Sequence, residues 1–298
     1  MKKTVIIGAN SYMARNLIKV IEDRSDIEIT ALYDYQDKNL DCSSLYQQIN
    51  ILDLNAFKTI NLKADQIFYF SGKTGTAAGF DQYDSFIDVN EKGLLNLLTV
   101  YREQQSRAKI LFPSTRLVYK GKKGLLKEDS ENEFKTIYAM NKFACEQYLN
   151  MYASVYGIKY CIFRICVPYG SLISGASSYG TAEFMIDRAQ RGENITLFGD
   201  GSVRRTLTYI NDICETLISG ALSSDCENDI FNIGGEDYSL SKMASMIAKK
   251  YNVSVEYNEW PEIALKIESS DTVFDSKKLD NIIKYERKMT FKKWILHG

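Results

Sequence analysis

The chain is almost without histidine: among 298 residues the one imidazole belongs to His297. If this is an enzyme, some other group must move its protons, because histidine is the side chain whose ordinary pKa suits that work near neutrality. Prolines are few, three in all, and no low-complexity linker or internal repeat breaks the chain into parts. The six cysteines (Cys42, Cys145, Cys161, Cys166, Cys214, Cys226) contain no CxxC pair. Without paired cysteines or histidines no metal site is expected. The apolar setting of several of them suits reduced, buried thiols in a cytoplasmic protein. No apolar run is long enough to span a bilayer and no secretory leader is read at the start, so no membrane partner is expected. Lys and Arg total 37 against 38 Asp and Glu. That balance lacks the concentrated basic face that nucleic acid requires, and Lys120, Lys122 and Lys123 read as a solvated loop.

What the chain does have is alternation. "TVIIGA", "IEITALYD", "QIFYFSG", "KILFPST" and "KYCIFRIC" are short runs rich in β-branched and aromatic residues. Between them lie helical patterns: "YMARNLIKVIED", "FIDVNEKGLLNLLTVYREQQ" and "YAMNKFACEQYLNMYASVYG". Strands that alternate with helices and are apolar on both faces predict a parallel sheet covered by helices, an α/β fold. After Cys166 the rhythm changes to a Gly/Ser-rich stretch, "PYGSLISGASSYGTAE", then the turn "FGDGSVRR", the strand-helix unit "TLTYINDICETLISGAL" and a smaller mixed lobe.

Two local patterns carry chemistry. "GANSYMA" (residues 8–14) joins the first strand to the first helix. A glycine there lets the backbone approach a pyrophosphate, and the helix that follows offers free N–H groups and its positive end. Gly8 supplies the turn, while Ser11 and Ala14, both small, stand where a fuller motif has glycines. Asp34, at the end of the second strand, is spaced to accept hydrogen bonds from an adenosine ribose, which points to a dinucleotide. In "YAMNK", Tyr138 and Lys142 are four apart and share a helix face. A phenol is a poor acid or base at neutral pH, but a neighbouring ammonium lowers its pKa toward the working range. Thr115 ends the preceding strand and adds a hydroxyl.

With these residues assembled, the sequence resembles the extended short-chain dehydrogenase/reductases, the NAD-dependent epimerase/dehydratase family that modifies nucleotide sugars. "VNEKGLLNLL" is similar to the family's asparagine-bearing helix, "PSTRLVY" to the segment with the catalytic Ser or Thr, and "YAMNK" to its tyrosine–lysine pair. Downstream, "FRICVPYG", "FGDGSVRRTLTYINDI" and "FNIGGEDYSL" match substrate-side elements that a bare nucleotide-binding fold would not need. The resemblance implies a Rossmann-like doubly wound parallel sheet over residues 1–165, completed by a returning segment near 203–233. A smaller substrate lobe over 166–298 would interleave with it.

It further implies Tyr138, Lys142 and Thr115 as the catalytic set. Cofactor contacts would come from Gly8, Asn10, Ser11, Tyr12, Met13, Asp34, Ser71, Gly72, Lys73, Asn90 and Lys142, with Asn50 or Asp53 at the adenine. Thr115, Arg116, Tyr138, Phe198 and Arg205 would meet the substrate, Arg205 at its diphosphate. NAD(H) is expected ahead of NADP(H), since Asp34 repels a 2′-phosphate; Arg15 and Lys38 soften that preference. Arg116 and Leu117 follow Thr115 where the family's dehydratases carry an acid–base pair, and Val167 replaces a substrate-side asparagine. The remaining reactions are 4-keto reduction and 4-epimerisation. The first reading is a 4-ketoreductase of a 4-keto-6-deoxyhexose nucleotide, in deoxysugar and surface polysaccharide synthesis. A UDP-hexose 4-epimerase-like enzyme is the alternative, and a non-catalytic nucleotide sensor the rival of another class. A homodimer is expected through the helices near 85–104 and 138–156, using Leu94, Leu98, Phe143, Tyr148 and Tyr152.

Overall fold

The apolar runs become strands buried on both faces, which only a sheet covered by helices on each side allows. The computed structural model describes residues 1–36, 44–174 and 180–297; Lys38 and Cys42 lie outside the described residues. In chain order the strands used below are β1 (Lys2–Ile7), β2 (Ile27–Asp34), β3 (Tyr46–Gln48), β4 (Gln66–Tyr69), β5 (Lys109–Thr115), β6 (Lys159–Ile165), β7 (Val167–Tyr169), β8 (Ile195–Phe198), β9 (Arg204–Tyr209), β10 (Asp229–Asn232), β11 (Glu236–Ser239) and β12 (Val255–Asn258). The helices are α1 (Tyr12–Glu22), α2 (Gly93–Glu103), α3 (Ile137–Tyr156), α4 (Thr181–Gln190), α5 (Ile210–Leu222) and α6 (Leu240–Tyr251).

Seven strands form one sheet in the order β10-β6-β5-β4-β1-β2-β3, parallel at every pairing. This is the doubly wound arrangement. The chain runs outward from β1 on one side, then returns to β4 and continues the other way, so the order reverses between β1 and β4. In such sheets ligands bind in the crevice beyond the strand ends at that reversal. One face is covered by α1 and α5, around Leu17, Ile21, Ile213 and Leu217; the other by α2 and α3, around Leu94, Leu98, Cys145 and Leu149.

A third cluster joins α4, α6, β7 and β8 through residues such as Met185, Ile195, Leu197, Met243 and Ile247. Here β9 lies between β7 and β11, and β8 pairs with β12. The unit "TLTYINDICETLISGAL" is therefore divided: β9 belongs to the small sheet, while α5, which follows it directly, packs against the large one. Val167 is buried within this third cluster.

The helix expected over "FIDVNEKGLLNLLTVYREQQ" is interrupted. An α-turn over Tyr83–Ile87 passes into a π-turn over Asp88–Lys92 before α2 begins at Gly93. At the sheet side the restart of the helix is closely packed: a Cβ on Gly93 would lie 2.5 Å from Ile51 and 2.8 Å from the Tyr69 hydroxyl. The π-turn frees backbone carbonyls from the α pattern, and the Asn90 carbonyl accepts from the Cys145 Sγ at 3.2 Å. Leu94 and Leu98, expected on a dimer face, are instead fully buried against the sheet. The apolar residues exposed on this side are Tyr83, Ile87, Met140, Met151, Val155 and Tyr156.

A buried ion pair anchors α3 to the sheet. Glu146 Oε1 accepts from Ser114 Oγ (2.5 Å) and Arg164 Nε (3.0 Å), and Oε2 accepts from Arg164 Nη2 (2.6 Å). Both charged side chains are sealed, at 0% and 3% exposure. Removing one partner of such a pair leaves an uncompensated charge, whereas replacing both by apolar residues does not. Glu146→Leu is accordingly expected to lower stability by about 3–5 kcal/mol, and adding Arg164→Met to recover more than half of that loss. Urea midpoints of the two variants check it.

Candidate active site

The loop after β1 is tightened by its glycine. Gly8 has φ +87°, and a Cβ there would come within 2.4 Å of the Ser71 nitrogen, so β1 and the end of β4 meet in a way only glycine permits. Ser11 gives up the clearance a glycine would offer and acts as the N-cap of α1, accepting from the Ala14 N–H at 3.2 Å. Ala14 is buried beneath it, and Met13 packs at the cluster's edge. Asp34 faces the turn: its Oδ2 accepts from the Asn10 N–H at 2.8 Å and its Oδ1 from the Gln36 N–H at 3.2 Å. Tyr12 donates to the Gly170 carbonyl at 2.5 Å, tying the start of α1 to the chain beyond β7.

Across the crevice, Ser71, Gly72 and Lys73 follow β4. The Asn90 side chain brackets this segment, accepting from the Lys73 N–H (2.7 Å) and donating to the Lys73 carbonyl (3.2 Å). A Cβ on Gly72 would stand 3.0 Å from Asn90 Oδ1 and 3.9 Å from Lys142 Nζ. The cradle made by Gly8, Gly72, Asn90 and Lys142 fits the close backbone approach that a dinucleotide demands. Asn141 and Tyr148, one residue before and six after Lys142, donate to the two carboxylate oxygens of Glu91, at 2.5 and 2.8 Å, which pins the π-turn to α3. Sequence reasoning missed this brace, although the spacing of Asn141 and Tyr148 already put both on one side of the helix.

Thr136 caps α3 by accepting from the Ala139 N–H at 3.1 Å, so Tyr138 and Lys142 stand on its first two turns. Burial pushes the Tyr138 phenol up to about 12, against the pull of a hydrogen bond with Thr115. Burial also brings the Lys142 ammonium down to about 8, against Cys145 and Glu146. Lys142 donates to the Pro113 carbonyl at 2.8 Å and lies over the Phe112 ring at 4.4 Å. The lysine was expected to be what tunes the phenol; here Thr115 is the group that lowers it, because the ammonium is turned toward β5.

The other expected residues have protein partners of their own. Asp53 caps a short helix, its Oδ1 accepting from the Asn55 and Ala56 N–H groups at 3.0 and 3.1 Å. Phe198 lies against Trp260 at the end of β8, ring centroids 5.4 Å apart and planes tilted by 41°. Arg205 is 1% exposed and reaches the segment 268–270: Nη1 donates to the Ser270 carbonyl (2.8 Å), and Nη2 to the Ser269 carbonyl (3.0 Å) and the Glu268 carboxylate. Arg116 donates to Ser269 Oγ at 2.7 Å. Among the described residues no group of three or more His, Cys, Asp or Glu is placed to hold a metal ion, and no helix is long and apolar enough to cross a membrane.

A doubly wound parallel sheet with a glycine turn at its reversal and a Thr–Tyr–Lys set beside it defines a dinucleotide-dependent class. The model of the NAD dependent epimerase/dehydratase family matches residues 4–234, and the chain belongs to that family. A CDP-paratose 2-epimerase of Salmonella typhi is 24% identical over 256 residues, covering 76% of this chain and 75% of the relative. The fold is that of the Thermus thermophilus UDP-glucose 4-epimerase, solved with NAD (TM-score 0.85, 20% identity, 98% of this chain and 96% of that one). It is equally that of the Bacillus cereus UDP-glucuronic acid 4-epimerase, solved with UDP-glucuronic acid and NAD (TM-score 0.85, 20% identity, 99% and 96%).

Because the Lys142 pKa is about 8 in the fold against an ordinary 10.5, the unfolded chain binds more protons between those values. The burden of burying this cation is therefore full below pH 8 and fades as pH rises toward 10.5. Lys142→Met is expected to stabilise the fold by about 1–3 kcal/mol at pH 7, with the gain shrinking above pH 8. Melting curves of both proteins across that range check it; a gain that grows with pH would contradict the assignment.

Proposed function

We propose that the chain is a NAD-dependent nucleotide-sugar oxidoreductase working at the sugar 4-position through a transient ketone, with 4-epimerisation as its net reaction. The observation that carries this is the gathering of Tyr138, Thr115 and Lys142 at the sheet reversal, beside the Gly72–Asn90 cradle. Bound NAD supplies the hydride acceptor and donor. Tyr138 exchanges the proton of the 4-oxygen, Thr115 hydrogen-bonds that same oxygen, and Lys142, with one of its three donors committed to Pro113, offers the others to the ribose. Asp34, held against the turn by Asn10, favours NAD over NADP because a carboxylate repels a 2′-phosphate. The intact proton-transfer set argues against a purely sensing protein.

The sequence alone favoured one-way 4-keto reduction. One observation supports it still: with its pKa near 12, Tyr138 rests as a neutral phenol, the form that gives a proton to a ketone. Epimerisation is preferred because both structural relatives named above are 4-epimerases and the sequence relative is an epimerase too, although at the 2-position. The test is stoichiometry. Interconversion of UDP-hexose 4-epimers without net consumption of NADH supports the epimerase. One NADH consumed per 4-keto-6-deoxy sugar nucleotide reassigns the chain to the reductase. In either assay Tyr138→Phe should lower turnover at least about a hundredfold with NAD(H) binding nearly unchanged; near-normal turnover removes Tyr138 from the chemistry.

A homodimer through α3 also forms part of the reading. Met140, Met151 and Val155 recur along one side of α3 with Ile87 and Tyr83 beside them, all more than a third exposed, an apolar stripe that an isologous two-fold contact would bury. Light scattering at micromolar concentration should give twice the chain mass, and Val155→Lys with Met151→Lys should halve it.

A further inference from the structure

The segment from Trp260 to Asp271 is held largely by polar contacts. Its helix, Glu262–Ile267, buries none of its residues and has no side-chain cap; Ile263 and Leu265 stand 69% and 56% exposed. Beyond it the anchors are three cationic side chains and, at Asp271, the backbone N–H groups of Lys122 and Arg204. Glu268 places its carboxylate on Arg205 and its carbonyl on Lys135 Nζ (2.9 Å), and Ser269 takes Arg116. Beneath lies a narrow cleft lined by Leu117, Lys135, Thr136, Ile267 and Ser269, opening toward the cap of α3.

Arg205 thus meets the Glu268 carboxylate with Arg116 close by, while Lys135 is shared between the Glu268 carbonyl and the Glu133 carboxylate at 3.4 Å. Arg205 is buried and its pKa is brought down to about 10, by burial first and by Arg116 second, with Glu268 acting the other way. A buried guanidinium needs an anionic partner at all times. Glu268 has a side chain 25% exposed against 2% for Arg205, so the glutamate is the member of the pair that can leave.

We propose that Glu268 is a built-in stand-in for the substrate's diphosphate: it neutralises Arg205 while the site is empty and swings out with the helix Glu262–Ile267 when a diphosphate takes its place. The inference rests on the nucleotide-sugar reading above and adds to it a residue that sets how tightly, and which, anions bind. A diphosphate replaces the carboxylate with oxygens able to engage Arg205 and Arg116 together, a pairing suited to guanidinium forks. Because only the open fraction of molecules binds, the closed strap weakens apparent affinity in proportion to its population. A small monoanion satisfies one cation and releases the strap poorly, so the device also discriminates against adventitious anions.

The test compares binding of UDP and of inorganic pyrophosphate to the full chain and to Glu268→Gln and Glu268→Asp by calorimetry. Glu268→Gln removes the competing charge and should bind both probes about tenfold tighter or more, while Glu268→Asp stays near the parent. The second readout needs no change at Glu268. In a Trp294→Phe background the remaining tryptophan is Trp260, which lies against Phe198 at the start of the strap, and its emission should shift as UDP saturates. Equal or weaker binding by Glu268→Gln overturns the proposal, and so does a silent Trp260 at saturation, which decides the matter if Glu268→Gln fails to fold. Binding to the parent chain with either of those results leaves the nucleotide-sugar reading standing. No binding of either probe to any of the proteins rejects both.

Discussion

The buried Glu146–Arg164 pair is the interaction on which the rest of the site depends. Glu146 lies one helical turn beyond Lys142, and Ser114, which donates to it, immediately precedes Thr115. One carboxylate therefore sets the depth and rotation of α3 relative to the end of β5, and with them how Tyr138 and Lys142 face Thr115. Arg164 extends the same network outward. It donates to the Glu128 carbonyl at 2.9 Å and lies over the Tyr119 ring, whose hydroxyl donates to Asn232 on β10 at 2.7 Å. Strands and loops across this half of the large sheet are thus referenced to a single charge pair. A low-dielectric interior makes such a network costly when incomplete and specific when satisfied.

Burial acts on the two cations of the site in the same sense and to different ends. Lys142, near 8, keeps its charge at neutrality by a small margin, so modest changes around it alter the proton balance next to Tyr138. Arg205, near 10, remains charged throughout and must always be compensated, if not by ligand then by protein. The first cation can lose its proton within reach of neutrality, and the second cannot.

Much of this was legible from the chain, and the boundary has a physical basis. The sheet strands could be read because parallel strands covered on both faces are continuous apolar runs, as in β5 and β6. Tyr138 and Lys142 could be paired because helical periodicity is local, and Gly8 because a strand-to-helix turn demands what only glycine allows. The π-turn at Asp88–Lys92 could not be read: it sits where Gly93 packs closely on Ile51 and Tyr69, residues distant in sequence. For the same reason Leu94 and Leu98 looked available for a partner, since periodicity marks an apolar face without saying what covers it. Glu268 left no local signal either. Its meaning arises where a loop 63 residues from Arg205 folds back onto it.

These two kinds of residue divide the molecule by the forces that hold it. The cofactor side is built from sheet register, a glycine contact and a sealed ion pair, which admit few alternatives. On the proposed reading the substrate side is closed by a helix with no buried residue and by bonds to Arg116, Lys135 and Arg205, which a polyanionic ligand would replace. A hydride-transfer site gains from that division. Proton and hydride positions need fixed geometry, whereas a sugar that must enter, and in an epimerase turn over within the pocket, needs a wall whose contacts exchange. On the proposed reading, the choice between epimerase and reductase turns less on Tyr138, Thr115 and Lys142, which would serve either reaction, than on how far the strap opens while the nucleotide remains bound.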